Sequence, residues 1–328
     1  MIDRRRFIGT IAAALLALPL ASEAQKPAKI WRIGFLSGGP SPKDGAPPAA
    51  LRQALEELGY VDGKNVTYTG RWAEARMERL PRLAAELVGL DVNLLLTAGA
   101  LASEAAKKAT STIPIVFVAP GDALETGLIT NLARPGGNIT GISDPATELS
   151  AKRFGLLKEA VPGAARVAVI WNANDRAMTL RYGEVEKAAR ALRVTVEPLS
   201  VRESDDIDAA LSAMTRQRPD ALFLVSDALT NFNRKQILDF AAAQHIPAMY
   251  EFGFYVRDGG LMSYGPTMDD MWRRAATYVD RIFKGAKPGE LSVEQPTRYY
   301  LLINLNAAKT LNLAIPPPLL LRADEVIQ

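Results

Sequence analysis

The chain has no cysteine and a single histidine among its 328 residues. Without cysteine there can be no disulfide, no thiolate metal site, no thiol nucleophile and no lipid-modified cysteine as a membrane anchor. The lone histidine, His245, falls just before Ile246-Pro247 at the end of a helical pattern, where it is expected to cap carbonyls or face solvent. Ser–His hydrolysis therefore has no well-placed base. An excess of one charge is also missing, since 39 Lys and Arg stand against 36 Asp and Glu for a net charge of +3. Nothing clusters this small surplus into a basic face, and a nucleic-acid partner is not expected. The chain lacks a Gly-x-Gly-x-x-Gly turn opening a helix, a Gly-Lys-Ser/Thr phosphate loop and a Gly-x-Ser-x-Gly elbow. Metal-ligating residues do not cluster either, so neither a metal nor a cofactor is expected.

Long apolar runs are scarce, and the one near the start has the build of an export address. Arg4-Arg5-Arg6-Phe7 precedes the apolar stretch Ile11 to Leu20, and small residues close it at Ala24. A positive segment, an apolar segment and a small-residue edge are the three parts of a secretory signal. Pro19, Ser22 and Glu23 cut the run short of the ~20 residues a spanning helix needs, which favours cleavage over anchoring. Residues 1–24 are thus expected to be a signal peptide, of twin-arginine or general secretory type. The expected mature chain starts near Gln25, carries a net charge of about +2 and works, soluble, in the periplasm.

About 300 mature residues exceed the usual size of one hydrophobic core, so two lobes are expected. From Ile30 onward strand-like runs alternate with helical patterns, the signature of a parallel sheet flanked by helices. Ile33 to Leu36, Val66 to Tyr68, Val92 to Leu96 and Ile115 to Val118 read as strands. Leu51, Leu55 and Leu58 line a helix stopped by Gly59, and two more helices follow at 80–88 and 102–109. The order then repeats. Ile33 corresponds to Val167, Leu94 to Leu222 and Pro114 to Pro247, each at an offset of about 130 residues. A duplicated, doubly wound α/β unit accounts for this. The glycine-rich stretch from Gly136 to Ser143 reads as the joint between the units. Beyond it lie a strand at 261–263, a long helix from Met268 to Phe283 and a last strand at 299–303, a tail able to cross between lobes. The expected division is 30–142 with 266–290 in one lobe and 143–265 with 291–328 in the other, joined by a multi-strand hinge.

Ligands of open α/β sheets sit beyond the carboxyl ends of the strands. Those positions carry Ser37, then Thr97-Ala98-Gly99, then Pro120-Gly121-Asp122 in the first unit, and Asn172, Ser226-Asp227 and Glu251 in the second, with Tyr264 in the tail. Small residues let a ligand approach the backbone, and the helix N-termini that follow offer free N–H groups to an anion. Asp122, Asp227 or Glu251 could receive an ammonium group, and Trp171, Tyr250, Phe252 and Tyr264 could enclose an apolar body. The competing reading of Ser37, Thr97, Ser226 and Asp227 is helix capping. Glu251 is harder to dismiss, because a carboxylate directly after a buried strand needs a partner.

Five segments standing in order give the chain a family likeness. They are Arg32-Ile33-Gly34-Phe35-Leu36, Leu55-Glu56-Glu57-Leu58-Gly59-Tyr60 with Gly63-Lys64-Asn65-Val66, Leu95-Leu96-Thr97-Ala98-Gly99, Ala133-Arg134-Pro135-Gly136-Gly137-Asn138-Ile139-Thr140-Gly141, and Gly260-Leu261-Met262-Ser263-Tyr264-Gly265-Pro266. Over essentially the whole mature length the chain resembles the ABC transporter substrate-binding proteins of the tryptophan/tyrosine-uptake type, which are similar to type I periplasmic binding proteins in fold. The resemblance implies two lobes with three crossovers, closing on a small molecule and presenting it to an ABC permease in the inner membrane. It also implies a monomer without catalytic activity, and ligand contacts at Ser37, Thr97, Ala98, Gly99, Pro120, Asp122, Asn172, Ser226, Asp227, Glu251 and Tyr264. Members often carry Asp-Pro where this chain has Gly121-Asp122-Ala123. An amino acid or an aromatic carboxylate is the candidate ligand, and alanine at Glu251 or Asp122 is expected to weaken its binding with the fold intact. Two other functions compete with this one: a ligand sensor of the same fold acting on a receptor, and an exported carboxylate-dependent hydrolase.

Overall fold

The computed structural model describes residues 29–328, so the export segment expected at 1–24 lies outside the described residues. Two sheets organise the chain. The first has five parallel strands, β1 (Trp31–Ser37), β2 (Val66–Trp72), β3 (Leu94–Ala98), β4 (Ile115–Val118) and β5 (Ile139–Ile142), in the order β2-β1-β3-β4-β5. The second has seven, β6 (Arg166–Asn172), β7 (Thr195–Val201), β8 (Ala221–Leu224), β9 (Ala248–Tyr250), β10 (Met262–Gly265), β11 (Tyr300–Asn304) and β12 (Glu325–Ile327), in the order β12-β11-β10-β9-β8-β6-β7. Strands β6 to β10 repeat the arrangement of β1 to β5. Only β11, antiparallel to β10, and β12 extend the second sheet beyond the shared pattern.

Strands β3, β4 and β8 are apolar on both faces because helices cover both, as parallel sheets require. Helices α1 (Ala49–Glu57), α2 (Leu80–Gly89) and α3 (Ala100–Ala109) belong to the first unit. The second begins with α4 (Ala146–Ala160), α5 (Arg176–Ala191) and α6 (Ser204–Arg216), followed by α7 (Ala228–Phe232), α8 (Arg234–Ala243) and α9 (Gly253–Arg257). The tail contributes α10 (Met268–Phe283), α11 (Leu305–Thr310) and α12 (Pro317–Leu320).

Helix α10 has the bounds its pattern predicts. Thr267 caps it by accepting from the Asp270 N–H, two aspartates favour its first turn, and Gly285 follows its end. Its apolar face carries the chain back onto the first sheet, packing beside α1, β4 and β5, with Phe283 stacked on Trp31 at 4.0 Å. The chain thus passes between the sheets three times: at 143–145, at 266–267 and at 295–299. The third passage is laid directly on β5, where the Glu294 N–H donates to the Gly141 carbonyl at 3.1 Å and the Ser143 N–H to the Glu294 carbonyl at 2.9 Å. These adjacent crossings form a hinge of several strands.

Two elements differ from the sequence reading. The joint expected at 136–143 contains a buried core strand, β5, because Ile139, Thr140, Gly141 and Ile142 complete the sheet edge beside β4. Helix α4 was not foreseen. Ser150 and Arg153 occupy its buried face, which interrupts the apolar stripe that would announce it.

Candidate functional site

The carboxyl ends of both sheets point to one cavity of about 240 Å³ between the two α/β units. The first unit lines it with Ser37, Gly38 and Gly39 after β1, Ala98 and Gly99 after β3, and the first turn of α3. The second contributes Asp175, Met178 and Arg181 around the start of α5, Ser226, Asp227 and Ala228 after β8, and Asn231 and Phe252. Met77 and Met268 also line it. The walls touch. A Cβ on Gly38 would lie 2.8 Å from the Ala228 Cβ, so only glycine lets the units meet this closely. On the other side, a Cβ on Gly121 would lie 2.6 Å from Arg181 Nη2. The cleft is therefore closed.

Of the residues singled out from sequence, Ser37, Ala98, Gly99, Ser226 and Asp227 line this cavity. The others stand behind or beside it. Thr97 is fully buried, its hydroxyl 2.8 Å from that of Ser103, and Pro120 is buried at the end of β4. Asp122 holds the start of α4, accepting from the Thr147 N–H at 3.0 Å and from its hydroxyl. Asn172 donates to Asp227 Oδ2 at 2.6 Å. The Tyr264 hydroxyl accepts from Lys152 at 2.6 Å. Asp227 also caps α7, accepting from the Thr230 N–H at 2.9 Å, so capping and cavity lining coincide in one residue. Among the aromatics considered, Phe252 lines the cavity, whereas Trp171 stacks on Tyr182 at 3.8 Å and Tyr250 on Tyr255 at 4.8 Å. His245 stays away from the cleft, its Nδ1 2.9 Å from the Thr310 carbonyl.

Glu251 has the partner its position demanded. Its Oε1 accepts from Arg153 Nη2 at 3.1 Å and its Oε2 from Arg181 Nη1 at 2.8 Å. Arg153 is held further by the carbonyls of Tyr264 at 2.6 Å and Ala146 at 3.3 Å. Arg181 also reaches Asp144, on the first crossing, at 3.7 Å. These four side chains are at most 3% exposed. Burial lowers the affinity of Arg181 for its proton, but Glu251 and Asp144 outweigh that and raise it. Neither Asp144 oxygen has a hydrogen-bond partner among the described residues, and burial pushes this carboxyl up to about 6 against the pull of Arg181. Sequence reasoning did not single out Asp175, Arg181 or Arg153. Only the unpaired Glu251 hinted at buried cations.

Asp175 caps α5 by accepting from the Ala177 N–H at 2.8 Å and is 3% exposed. Burial, reinforced by Asp227, raises its carboxyl to about 7, and Asp227 is itself raised by burial. At pH values between ~4, where an unfolded aspartate titrates, and about 7 the folded state holds a proton that the unfolded chain releases. This contribution to stability is complete below the lower value and is lost as pH rises through the upper one. The urea midpoint of the ligand-free protein, relative to that of Asp175→Asn, is therefore expected to fall from pH 5 to pH 8. A difference that stays constant with pH would refute the assignment.

Two α/β sheets, a hinge of three crossings and a closed cleft at the strand ends define a two-lobed binding protein for small molecules. Residues 47–327 match the sequence profile of the ABC transporter substrate binding protein family, and the chain belongs to that family. It is thus a substrate-binding component that takes a small-molecule ligand outside the cytoplasm and delivers it to a transporter. The family consists of binding proteins rather than enzymes. Among curated relatives, a tyrosine-binding protein of Clostridioides difficile (strain R20291) is 25% identical over 261 residues, covering 80% of this chain and 75% of its own. Among solved structures, a conserved domain protein of Vibrio cholerae O1 biovar El Tor is 25% identical with a TM-score of 0.83, covering 91% of this chain and 100% of that one. The ABC domain from Streptococcus pneumoniae in complex with L-Trp is similar in fold at 23% identity, with a TM-score of 0.82 and the same coverage. Among the described residues no helix is long and apolar enough to cross a membrane.

Proposed function

We propose that this chain is the solute-binding component of an ABC importer, a monomer in the periplasm exported by its first 24 residues. It closes on an amino acid or an aromatic carboxylate and presents it to a permease in the inner membrane. The observation that carries this reading is the cavity at the strand ends, with the N-terminus of α3 on one wall and the carboxylates of Asp175 and Asp227 on the other. The relatives named for tyrosine and bound to L-Trp support the ligand class. Ser37, Ala98, Gly99, Ser226 and Asp227 meet the ligand, while Thr97, Pro120, Asp122, Asn172, Glu251 and Tyr264 support it from behind. One lobe comprises 30–142 with 266–294 and the other 143–265 with 295–328, four residues later than the boundary expected at 290, because the Val293 N–H donates to the Leu132 carbonyl and Glu294 pairs with β5. No bond is made or broken, and no nucleic acid takes part. Contacts available only in the closed form shift the hinge toward closure, so differential affinity does the work.

A ligand at 100 times its Kd adds about 2.7 kcal/mol to stability. For a chain of this size, that amounts to a rise of roughly 4–5 °C in Tm. L-tyrosine or L-tryptophan is expected to produce such a shift in a thermal melt and to be recovered unchanged. Absence of any shift across amino acids and aromatic carboxylates would sink the ligand class, and conversion of the ligand would sink the non-enzymatic reading.

A further inference from the structure

We propose that Gly38 and Ala228 form the contact at which closure of the lobes stops, so that the small size of this pair sets how tightly the protein holds its ligand. This role rests on the cleft closing on a small molecule, and it identifies the residues that limit the closure. Gly38 lies in the loop after β1 and Ala228 opens α7 after β8, so the pair bridges the two α/β units beside the cavity that both line.

A Cβ on Gly38 would lie 2.8 Å from the Ala228 Cβ. Carbon atoms rest ~3.5–4.0 Å apart, so alanine at 38 would demand a retreat of about 1 Å. Ala228 has no rotamer with which to retreat, because its Cβ follows the backbone. That backbone is pinned at the start of α7. The Thr230 N–H donates to Asp227 Oδ1 at 2.9 Å, and the Asp227 N–H donates to the Thr230 hydroxyl at 2.8 Å. Met77 is a different kind of neighbour. Its Sδ would lie 2.8 Å from the added Cβ, but it belongs to the same unit as Gly38 and ends a flexible side chain that can swing aside. The Gly38 backbone lies outside the left-handed region, so alanine can adopt it.

A second glycine contact lies closer to the hinge. A Cβ on Gly121, after β4, would lie 3.3 Å from the Ala177 Cβ and 2.6 Å from Arg181 Nη2, both on α5. Strand β4 is next to β5, from whose end the first crossing leaves, whereas β1 lies two strands further out, ~10 Å at the usual spacing. Rotation about the crossings therefore parts Gly38 from Ala228 further than it parts Gly121 from α5. Gly121 is also held at φ +74, so a side chain there would strain the backbone whether the cleft is open or closed. At Gly38 the steric cost of a methyl group falls on the closed form alone. The open form, which the ligand meets first, is unaffected, and the closed complex opens sooner.

Calorimetry and stopped-flow binding of L-tryptophan and L-tyrosine test this. Gly38→Ala is expected to weaken binding by about tenfold or more, through faster release with little change in the association rate. Its ligand-free Tm is expected within about 2 °C of wild type. Ala228→Gly removes the opposing Cβ. Alone it is expected to change affinity by less than about threefold, and combined with Gly38→Ala to recover most of the loss. A methyl group that touched the ligand directly would show no such coupling. Should Gly38→Ala fail to fold, Ala228→Val enlarges the other partner and is expected to speed release in the same way. Gly38→Ala within about twofold of wild type, or a loss that Ala228→Gly does not recover, overturns the closure stop and leaves the importer reading standing. Wild type that binds neither amino acid overturns the proposed ligand class and, with no complex to hold closed, this role for the pair as well.

Discussion

Glu251→Ala is expected to cost about 3–5 kcal/mol of folding stability, the range for breaking a buried ion pair by removing one partner. For a chain of this size that amounts to a fall of roughly 5–8 °C in Tm. The carboxylate bridges Arg153 at 3.1 Å and Arg181 at 2.8 Å. Alanine would leave two guanidinium groups in a buried site without the carboxylate they share. Arg153 would keep the carbonyls of Tyr264 and Ala146, while Arg181 would keep only a distant Asp144 and the Ser226 carbonyl at 3.5 Å. From sequence alone the same substitution is expected to weaken ligand binding and spare the fold. The geometry instead assigns the side chain a structural task beside the hinge. Thermal melts and urea titration of the ligand-free variant check this, and a loss below about 1 kcal/mol would refute it.

Gly141→Ala is the second large effect, expected to cost roughly 2–5 kcal/mol from left-handed backbone and overpacking together. Gly141 is at φ +153 in β5, opposite Phe117 of β4. A Cβ there would lie 2.1 Å from the Phe117 carbonyl oxygen and 2.7 Å from its nitrogen. Both are backbone atoms of a buried strand, so no rotamer change makes room. The Gly141 carbonyl also accepts from Glu294, which ties the third crossing to the first sheet. Relief by moving β5 would therefore disturb the hinge as well. A fall in the urea midpoint without change in slope is the expected signature. A variant within about 0.5 kcal/mol of wild type would show that the strand yields more easily than its contacts indicate.

Much of the fold was legible because its signals are local. Helix α10 announces itself through a threonine cap, two acidic residues, an apolar stripe and a closing glycine. The buried strands are short apolar runs, and their repeat at a long offset anticipated the shared order of β1 to β5 and β6 to β10. Helix α4 stayed hidden because Ser150 and Arg153 face inward, against the usual exposure of polar side chains. The site was half legible for the same reason. Small and hydroxylated residues at strand ends pointed to Ser37, Ala98, Gly99, Ser226 and Asp227, whereas Asp175 and Arg181 sit within a polar helix start that reads as solvated surface.

By itself the sequence determined the strand and helix alternation, the duplication and the small-residue loops that border the cleft. These depend on periodicity and on backbone preferences, both set by near neighbours in the chain. Tertiary structure alone decided which charges meet. Arg153 and Arg181 stand 98 and 70 residues from the carboxylate they share. No local rule fixes such a pairing, because the strength of a buried charge interaction depends on burial and distance, and both exist only once the chain has folded.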